Sequence, residues 1–508
     1  MSFRWQAILR NPSPYLCRRR ALHRSYATEA LSIDSTSKPS SFGQPLFQSH
    51  PHLLQPDELT PGIPSEDYEL RRKRLMDSLP SGSAVVSVAA PMKFLSGNIF
   101  YKYRQASDFW YLTGFEEPDS AVILEKTSCS KGYKMILFSA GKNSEKEKWE
   151  GAKTGFLQAG TIFRADDALP IDSFATYLKS VTSNCSTIFV DLPPTHTRRG
   201  PRGTTKSIMK YLSAHSSRSD HDAVIDALSS SKRKPLAPEV GRLRTIKSIA
   251  ERDVMRAAAD ISGRAHAKTM RFTRPGLSEA ALAAHFEYLC SLSGAQRLAY
   301  VPVVASGPNA LIIHYTSNNQ VIREGEIVLI DAGCEYNGYA SDITRSYPAT
   351  GKFTEPQRDL YSAVLTTQKA LIQLCHESAG LSLYELHRKS CELLRVELLQ
   401  IGFSLYSGDL ERILYPHFLS HPIGIDLHES THFDRTSSLK EGMVITIEPG
   451  IYVPPTPNFP RHFHNIGIRI EDEVLVGKTN PVVLSVTAPK EIADVEGACQ
   501  GLLGLKPF

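Results

Sequence analysis

The sequence predicts an α/β (α+β) protein of two domains, and three features of the chain lead to that prediction. With 508 residues, the chain is long enough for two or three domains that each have a large buried core. Strand-like and helix-like segments alternate up to about Leu192, which is typical of an α/β domain. Residues 193–238 are rich in Pro, Ser and Arg, and a long helical pattern over about residues 244–271 then opens a second domain.

Local patterns place several elements within these domains. In the first domain we expect a helix over residues 67–78 and a buried strand over residues 84–90. In the second domain, Thr354 and Ser382 each begin a capping box that precedes a periodic apolar run. A helix is therefore predicted after each of these two residues.

The N-terminal segment carries almost all of the excess charge. Residues 1–28 contain six arginines and no acidic residue, the first being Glu29, which is typical of a mitochondrial transit peptide; a disordered basic tail is the alternative. We therefore expect the protein in the mitochondrion, in the matrix or at the matrix face of the inner membrane. The expected organisation is a transit peptide (1–26), a disordered lead-in (27–62), an N-terminal domain (63–205), a connector (206–242), a C-terminal domain (243–490) and a tail (491–508).

The remaining composition excludes several classes of protein. Without residues 1–26 the chain has 52 basic and 53 acidic side chains, so its charge does not favour nucleic-acid binding. No apolar run approaches the length of a membrane span. The eight cysteines are scattered without a C-x-x-C pair, which favours neither a disulfide framework nor a cysteine-bound zinc site.

A β-hairpin is predicted over residues 327–347. The dipeptide Asn337-Gly338 is a strong signal for a two-residue type I′ turn, and it pairs Asp331 with Thr344. Asp342 then lies two residues from that partner, so the two aspartates share one face of the hairpin, roughly 7–8 Å apart at the backbone. Two such acids could simply be solvated. Asp331, however, directly follows four apolar residues, which is an unfavourable place for a carboxylate with no cation.

Three further segments place ionisable residues in a similar setting. His417, His421 and His428 lie within twelve residues, and Glu448 and Glu471 each lie at or near the end of an apolar strand-like run. Four carboxylates and one imidazole form a hard, oxygen-dominated ligand set, which suits Mn²⁺ and, less selectively, Zn²⁺ or Co²⁺. The amount of negative charge predicts a pair of divalent ions per subunit.

Taken together, these segments resemble the pita-bread metallopeptidases. The resemblance rests on Asp331 and Asp342, on His421 and His428, on Glu448-Pro-Gly and on Arg469-Ile-Glu471, in that order along the chain. Within the family the chain resembles the aminopeptidase P group, including its mitochondrial branch of intermediate cleaving peptidases. The aromatic segment over residues 103–115 resembles the N-terminal domain of that group, so the likeness covers residues 62–485. It implies an N-terminal domain of creatinase/aminopeptidase P type followed by a C-terminal pita-bread catalytic domain.

The resemblance also implies roles for individual residues. Asp331, Asp342, His421, Glu448 and Glu471 would bind the two metal ions. Glu448 would also be the general base, and His428 would stabilise the oxyanion of the scissile carbonyl. His314 and His417 would line the substrate pocket with His428 and relay protons, while Arg469 and Tyr452 would orient Asp331.

The implied activity is the hydrolytic removal of one N-terminal residue, such as Tyr, Leu or Phe, from preprotein intermediates left by the mitochondrial processing peptidase. A general Xaa-Pro aminopeptidase remains an alternative. Two further alternatives, a non-catalytic module that binds peptides or proteins and a metal-free creatinase-like hydrolase, are disfavoured because all five ligand positions are filled. The resemblance also implies a homodimer or homotetramer.

Overall fold

A mixed six-stranded sheet forms the centre of the N-terminal domain. The computed structural model describes residues 41–190 and 232–507. The strands of this part are β1 (Glu58–Thr60), β2 (Ile63–Pro64), β3 (Ser83–Val88), β4 (Phe94–Ser96), β5 (Ile99–Phe100), β6 (Ala121–Lys126), β7 (Tyr133–Ser139), β8 (Asp167–Pro170), β9 (Thr187–Val190) and β10 (Arg233–Pro235). The large sheet has the order β10-β9-β3-β6-β7-β8, and the pairs β1-β2 and β4-β5 stand apart from it. In the large sheet, β3 runs antiparallel to β6 and parallel to β9.

The helices of this domain cover both faces of the sheet. They are α1 (Ser65–Ser78), α2 (Ser107–Thr113), α3 (Ser144–Glu150), α4 (Phe156–Ile162) and α5 (Phe174–Asn184), with a short 3₁₀ helix at Ile171–Ser173. Side chains alternate across a strand, so Val85 packs in the cluster that contains Tyr68 of α1, while Val86 packs in the cluster that contains Leu178 of α5. The predicted strand and helix at this point are confirmed.

The C-terminal domain consists of short antiparallel sheets and long helices. Its strands are β11 (Arg297–Leu298), β12 (Val303–Ser306), β13 (Ile327–Asp331), β14 (Cys334–Tyr336), β15 (Tyr339–Ala340), β16 (Thr344–Pro348), β17 (Val444–Ile447), β18 (Gly450–Val453), β19 (Ile466–Arg469), β20 (Asp472–Leu475) and β21 (Val482–Val483). The helices are α6 (Ala237–Arg244), α7 (Ile249–Phe272), α8 (Glu279–Leu292), α9 (Glu355–Ile372), α10 (Leu383–Gln400) and α11 (Ile492–Gln500), with single turns at Gly307–Leu311, Glu377–Ala379, Leu410–Leu414 and Arg461–Phe463. The sheet orders are β11-β14-β15, β12-β13-β16, β17-β20-β21 and β18-β19.

Side-chain caps determine where the long helices begin. Both predicted capping boxes form, at Thr354 before α9 and at Ser382 before α10. The helix predicted over residues 244–271 is instead two helices, because α6 ends at Arg244 and Ser248 starts α7 with a third capping box. The Ser248 side chain accepts from the backbone N–H of Glu251, while the Glu251 carboxylate accepts from the N–H of Ser248.

The hairpin over residues 327–347 has the predicted register. Asp331 pairs with Thr344, and Tyr336 pairs with Tyr339 across the turn. Asn337 and Gly338 have φ values of +49° and +81°, as a type I′ turn requires. The hairpin prediction is therefore confirmed at the level of individual residue pairs.

Replacing Gly338 with alanine should destabilise the protein through this turn. An added Cβ would strain a left-handed backbone and would lie 2.6 Å from the Trp110 ring of the N-terminal domain. We expect the free energy of unfolding to fall by about 1–2 kcal/mol or more. Thermal denaturation of Gly338→Ala beside Asn337→Gly measures the effect, since glycine adopts the Asn337 conformation without strain. Equal melting temperatures for the two variants would contradict this account.

Three boundaries differ from those expected from the sequence. Residues 41–62, expected to be disordered, pack on the N-terminal domain through Leu46 and Leu54, which are buried. The end of the expected connector forms β10, which extends the N-terminal sheet, and the expected tail contains α11, which buries Val495 and Ala498 in the C-terminal core. The first and third differences arise because apolar side chains in these polar segments find partners far away in sequence. Strand β10, which consists of Arg233, Lys234 and Pro235, joins the sheet through backbone pairing with β9. The transit-peptide prediction lies outside the described residues. Within the described part of the chain, no helix is both long enough and apolar enough to cross a bilayer.

Candidate metal centre

The five residues expected to bind metal meet at one place, four of them at or next to strand ends and the fifth, His421, beside a strand. Asp331 is the last residue of β13, and Asp342 lies between β15 and β16. Glu448 directly follows β17, and Glu471 lies between β19 and β20. His421 lies outside the strands, but its backbone accepts a hydrogen bond from Thr446 of β17. An antiparallel scaffold thus collects residues that are up to 140 positions apart.

The distances show a compact cluster. One potential ligand atom from each of Asp342, His421 and Glu471 lies within 4.8 Å of the other two. His421 Nε2 is 3.3 Å from Asp342 Oδ2 and 3.7 Å from Glu448 Oε1. Asp331 is linked to Asp342 through the Tyr300 hydroxyl, which lies 2.5 Å from Oδ1 of each carboxylate. Both aspartates therefore reach the same point, as the hairpin register requires.

Arg469 holds the far side of the cluster in place. Its buried guanidinium donates from Nη2 to Asp331 Oδ2 at 2.6 Å and from Nη1 to the Tyr452 hydroxyl at 2.7 Å. Its Nε donates to Thr344 Oγ1 at 3.0 Å, and Thr344 in turn donates to Glu471 Oε2 at 2.6 Å. One planar group thus fixes the orientation of two carboxylates, which is how side chains behind metal ligands usually act.

His421 presents Nε2 to the carboxylates. Its Nδ1 lies 3.2 Å from the carbonyl oxygen of Pro422, so a proton on Nδ1 donates to that carbonyl and leaves Nε2 facing the acids. Burial lowers the pKa of this imidazole, but the adjacent Asp342 carboxylate outweighs burial and raises the pKa to about 9. The ring is therefore the doubly protonated, positively charged imidazolium near neutral pH, unless a metal cation replaces the proton on Nε2.

The other predicted histidines lie beside the cluster. His417 Nε2 is 3.0 Å from the Tyr452 hydroxyl, and His417 Nδ1 is 3.8 Å from Glu448 Oε2. The ring centroid of His428 is 4.3 Å from that of His421. His314 is exposed. Burial first and the Arg469 charge second lower the pKa of His417 to about 3. Burial first and His421 second lower the pKa of His428.

Tyr300 is a residue of this site that sequence reasoning missed. It lies two residues after β11, outside the strands and the histidine-rich segment that suggested the other residues. Burial and the charges of Asp331 and Asp342 raise the pKa of its hydroxyl well above the ordinary value. The neutral phenol therefore remains a hydrogen-bond donor between the two aspartates. The local sequence of Tyr300 contains no signal that would distinguish it from a core tyrosine.

The charges of the cluster fit divalent cations. Burial raises the pKa of Glu448 to about 8. Burial, together with the charges of Asp342 and Glu448, raises the pKa of Glu471 well above its ordinary value. Four carboxylates thus share a desolvated site with one arginine and one histidine, so negative charge is in excess. Oxygen donors with one imidazole are a suitable ligand set for first-row divalent ions.

Replacing Tyr300 with phenylalanine should weaken the centre without unfolding it. The change removes only the hydroxyl that holds Asp331 and Asp342 in their relative orientation. We expect metal affinity or turnover to fall by about 10–100-fold, the usual effect of losing a group behind the metal ligands. Titration of the metal-free variant with Mn²⁺ measures the affinity, and an unchanged affinity together with unchanged turnover would contradict the role.

Family models match both domains of the chain. Residues 68–189 match the aminopeptidase P N-terminal domain, and residues 253–478 match metallopeptidase family M24. Intermediate cleaving peptidase 55 of Saccharomyces cerevisiae is 38% identical over 469 residues, which are 92% of this chain and 90% of the yeast protein. The chain belongs to metallopeptidase family M24.

Other relatives of this M24 peptidase are similar over most of their length. Xaa-Pro aminopeptidase 3 of Rattus norvegicus is 36% identical, with 94% of each chain covered. Intermediate cleaving peptidase 55, mitochondrial, of Arabidopsis thaliana is 36% identical, with 94% of this chain and 92% of the plant protein covered.

Solved structures give the same result. The crystal structure of Icp55 from Saccharomyces cerevisiae superposes with a TM-score of 0.76 at 36% identity, over 88% of this chain and 99% of that one. Zn-substituted aminopeptidase P of E. coli superposes with a TM-score of 0.76 at 30% identity, over 87% and 99% of the two chains. The M24 peptidase therefore has the aminopeptidase P fold, and the predicted fold class and family are confirmed. It is an enzyme, so the non-catalytic alternative is not supported.

Proposed function

We propose that the protein is a mitochondrial metallo-aminopeptidase that removes one N-terminal residue from preprotein intermediates left by the mitochondrial processing peptidase. The observation that carries the proposal is the convergence of Asp331, Asp342, Glu448 and Glu471 with His421 in an M24 fold. The names of the yeast and plant relatives support the intermediate-cleaving activity, and the plant name supports the location.

In this proposal two divalent ions, most suitably Mn²⁺, bind to Asp331, Asp342, His421, Glu448 and Glu471. Zn²⁺ and Co²⁺ are alternatives that the same donors accept. When bound, such ions act as Lewis acids that activate water and polarise the scissile carbonyl. The residues of the chain supply proton transfer, orientation and exclusion of bulk water.

Glu448 and His428 act directly on the reacting atoms. Glu448, whose side chain is 16% exposed and lies 3.7 Å from His421, accepts the proton of the attacking water and delivers it to the leaving amine. His428 lies next to His421 with an exposed ring, and donates a hydrogen bond to the oxygen of the scissile carbonyl as negative charge develops there. The lowered pKa of His428 keeps its imidazole neutral at neutral pH, so one ring nitrogen remains a donor without adding a charge.

The pocket is completed by His314 and His417, while Arg469 and Tyr452 keep Asp331 in place. His417 hydrogen-bonds Tyr452, which accepts from Arg469, so a continuous chain of polar contacts leads from the pocket to Asp331. Because the Arg469 guanidinium keeps its protons, this chain orients His417 and Asp331. The relay of protons by His417 would instead run towards Glu448, whose Oε2 lies 3.8 Å from His417 Nδ1. The N-terminal domain closes the pocket to internal peptide bonds. A fluorogenic peptide blocked at its amino terminus should therefore be inert, and efficient cleavage would refute aminopeptidase action.

A general Xaa-Pro aminopeptidase is the second candidate, favoured by the names of the mammalian relatives. Two peptides, Tyr-Ala-x and Arg-Pro-x, separate the candidates when assayed on one metal-analysed sample. The main proposal expects faster release of Tyr from the first peptide. Faster turnover of the second peptide would favour the alternative.

The leader suggests a substrate within the protein's own precursor. The sequence Arg24-Ser25-Tyr26-Ala27 places Arg two positions before Tyr26, so cleavage after Ser25 would expose Tyr26. We propose that a second cut then removes Tyr26. N-terminal sequencing of mature Glu448→Gln protein tests this: a start at Tyr26 supports self-processing, and a start at Ala27 refutes it.

We also propose a homodimer or homotetramer, which sedimentation of the purified protein would measure.

A further inference from the structure

The loop between two of the active-site histidines is held by buried charges. This histidine loop, residues 421–429, begins with His421 and contains His428. Its last residue, Glu429, closes it: the N–H of Glu429 donates to Pro422 O at 3.0 Å, and the N–H of Asp426 donates to Glu429 Oε2 at 3.1 Å. A Cβ at Gly424 would lie 2.5 Å from Glu429 Oε1, so only glycine lets the carboxylate lie inside the loop.

Arg244 binds this loop from α6. Its side chain is 4% exposed. Nη2 donates to Asp426 Oδ2 at 2.7 Å and to Glu429 Oε2 at 2.8 Å, and Nε donates to Glu429 Oε1 at 3.2 Å. Lys247 adds a second buried cation, with Nζ 3.5 Å from Glu429 Oε1. The planar guanidinium thus binds Asp426 and Glu429 at the same time. A lysine ammonium, which lacks this fork of N–H groups, could not bind both in the same geometry.

The first half of the loop is bound to the C-terminal domain by main-chain hydrogen bonds to Val444, Thr446 and Ala340. Further contacts, at Ile425 and Asp426, come from the N-terminal domain. Arg244 Nη1 donates to Asp108 Oδ1 of α2 at 2.7 Å. Ser107 of the same helix donates to Asp426 Oδ1 at 2.6 Å. Arg104, just before α2, donates from Nη2 to Ile425 O at 2.8 Å and to Asp426 Oδ1 at 3.2 Å. Asp426 therefore receives donors from both domains at once.

We propose that Arg244, Asp108 and Arg104 are positioning residues through which the N-terminal domain sets the place of His428 in the active site. The inference rests on the proposed function of His428 as oxyanion donor. Beyond closing the pocket, the N-terminal domain thereby contributes to the rate of the chemical step. None of these three residues is at hydrogen-bonding distance from the carboxylates of the metal cluster, so they act on the reaction through the histidine loop.

The physical basis is the directionality of buried, charge-assisted hydrogen bonds. Arg244, Lys247 and Arg104 face Asp108, Asp426 and Glu429 in a mostly buried network. Arg104 also pairs with Glu335, which in turn pairs with Arg297, so four cations balance four anions. Such groups tolerate little displacement, because moving one leaves another desolvated and unpaired. A shift of about 1 Å in a group that acts on the transition state can lower the rate about 100-fold.

A double-mutant cycle between the N-terminal domain and His428 tests the inference. The variants are Asp108→Ala, His428→Ala and their combination, assayed as metal-loaded protein with Tyr-Ala-x. We expect Asp108→Ala to lower kcat about tenfold with KM nearly unchanged, and His428→Ala to lower kcat about 100-fold. The double variant should be no slower than His428→Ala alone, because displacing an absent imidazole has no effect.

A structural role would give a different pattern. If Asp108→Ala lowers kcat to the same extent in the presence and absence of His428, or does not lower it at all, the inference is overturned. A His428→Ala variant with unchanged kcat would instead refute the proposed role of His428, so the two failures are distinguishable. Should Asp108→Ala fail to fold, Ser107→Ala removes one neutral donor to Asp426 and enters the same cycle with the same expectation.

A second interdomain ion pair supplies the matched control. Arg71 of α1 lies 3.4 Å from Glu251 of α7, and both side chains are as buried as that of Arg244, but neither contacts the histidine loop. Arg71→Met should lower the melting temperature while kcat stays within about twofold, since this ion pair makes no direct contact with the loop. An equal loss of kcat in Arg71→Met would show that any loosening between the domains slows the enzyme, and would refute a specific role for the Arg244 network.

Discussion

Glu448→Gln should lower kcat by about 10³-fold or more. Removing a general base usually costs about 10²–10⁴-fold, and this carboxylate is also a proposed metal ligand. The amide has nearly the same shape, so the Thr446 hydroxyl that donates to Glu448 Oε1 at 3.3 Å keeps an acceptor. Assay of metal-loaded protein with Tyr-Ala-x measures the loss, and metal analysis of the same sample separates loss of the base from loss of metal.

The same substitution should not destabilise the metal-free protein. Burial holds the pKa of Glu448 at about 8, so a neutral side chain is preferred at this position when no cation is bound. The matched control is Glu473→Gln. Glu473 is buried one strand residue beyond Asp472, burial raises its pKa well above the ordinary value, and its Oε1 accepts from the N–H of Asp342 at 2.8 Å. A neutral amide can accept the same bond, so Glu473→Gln should largely retain activity. Equal loss in both variants would show that any change near Asp342 disables the site.

Removal of the metal should abolish activity and make stability depend on pH in a defined direction. Burial raises the folded-state pKa of Glu448 from 4.5 to about 8, and burial with the charges of Asp342 and Glu448 raises that of Glu471 well above its ordinary value. A carboxyl group with a raised pKa contributes stability that is fully present below its unfolded pKa of 4.5 and is lost as the pH rises through the folded pKa. The metal-free protein should therefore become less stable between pH 7 and pH 8.

Histidines with lowered pKa values, such as His417, His428 and His266, oppose this trend only below about pH 7, because their stabilisation is gained as the pH rises through the unfolded pKa of 6.5. The acids with lowered pKa values have no effect between pH 7 and pH 8. Burial alone would raise the pKa values of Asp472 and Asp426. The charges of Arg345 and Lys490 outweigh burial at Asp472, and those of Arg244 and Arg104 outweigh it at Asp426. The pKa of each acid is therefore lowered. Such acids contribute stability that is present above their unfolded pKa and is lost only as the pH falls below about 4. His421, with its pKa raised to about 9, contributes in the same direction as Glu448, because its stabilisation is lost as the pH rises through 9.

Thermal denaturation with and without metal measures both effects. Metal binds the deprotonated ligands, so its affinity, and with it the gain in melting temperature, should increase with pH. We expect the difference between the loaded and metal-free proteins to grow from pH 6 to pH 8, and to be smaller in Glu448→Gln. A difference that is independent of pH would contradict the assignment of these carboxylates to the metal centre.

Features encoded within a few residues were predictable from the sequence. The Asn337-Gly338 turn fixes the register of its hairpin, because two consecutive positive φ angles are allowed for few dipeptides. The register then places Asp331 and Asp342 on one face without any knowledge of the rest of the fold. Capping boxes at Thr354 and Ser382 are equally local, since a side chain satisfies backbone groups three residues away.

Tyr300, the packing of Leu46 and Leu54, and the helix α11 were not predictable in this way. Each depends on partners that are distant in sequence, and no local pattern specifies such partners. The contact of Arg244 with Asp108 spans 136 positions, and its contact with Glu429 spans 185. The identities of these residues could be read from the sequence, but their pairing could not.

The sequence by itself thus determined the chemistry of this protein: which side chains can bind metal, where its hairpin turns, and where several of its helices begin. The tertiary structure alone decided which of those side chains meet, that Tyr300 contacts both aspartates, and that Arg244 contacts the histidine loop. The physical reason is that turn and cap preferences act over a few bonds of the chain. Burial, charge pairing and the shift of a pKa, in contrast, depend on the neighbours that folding brings together.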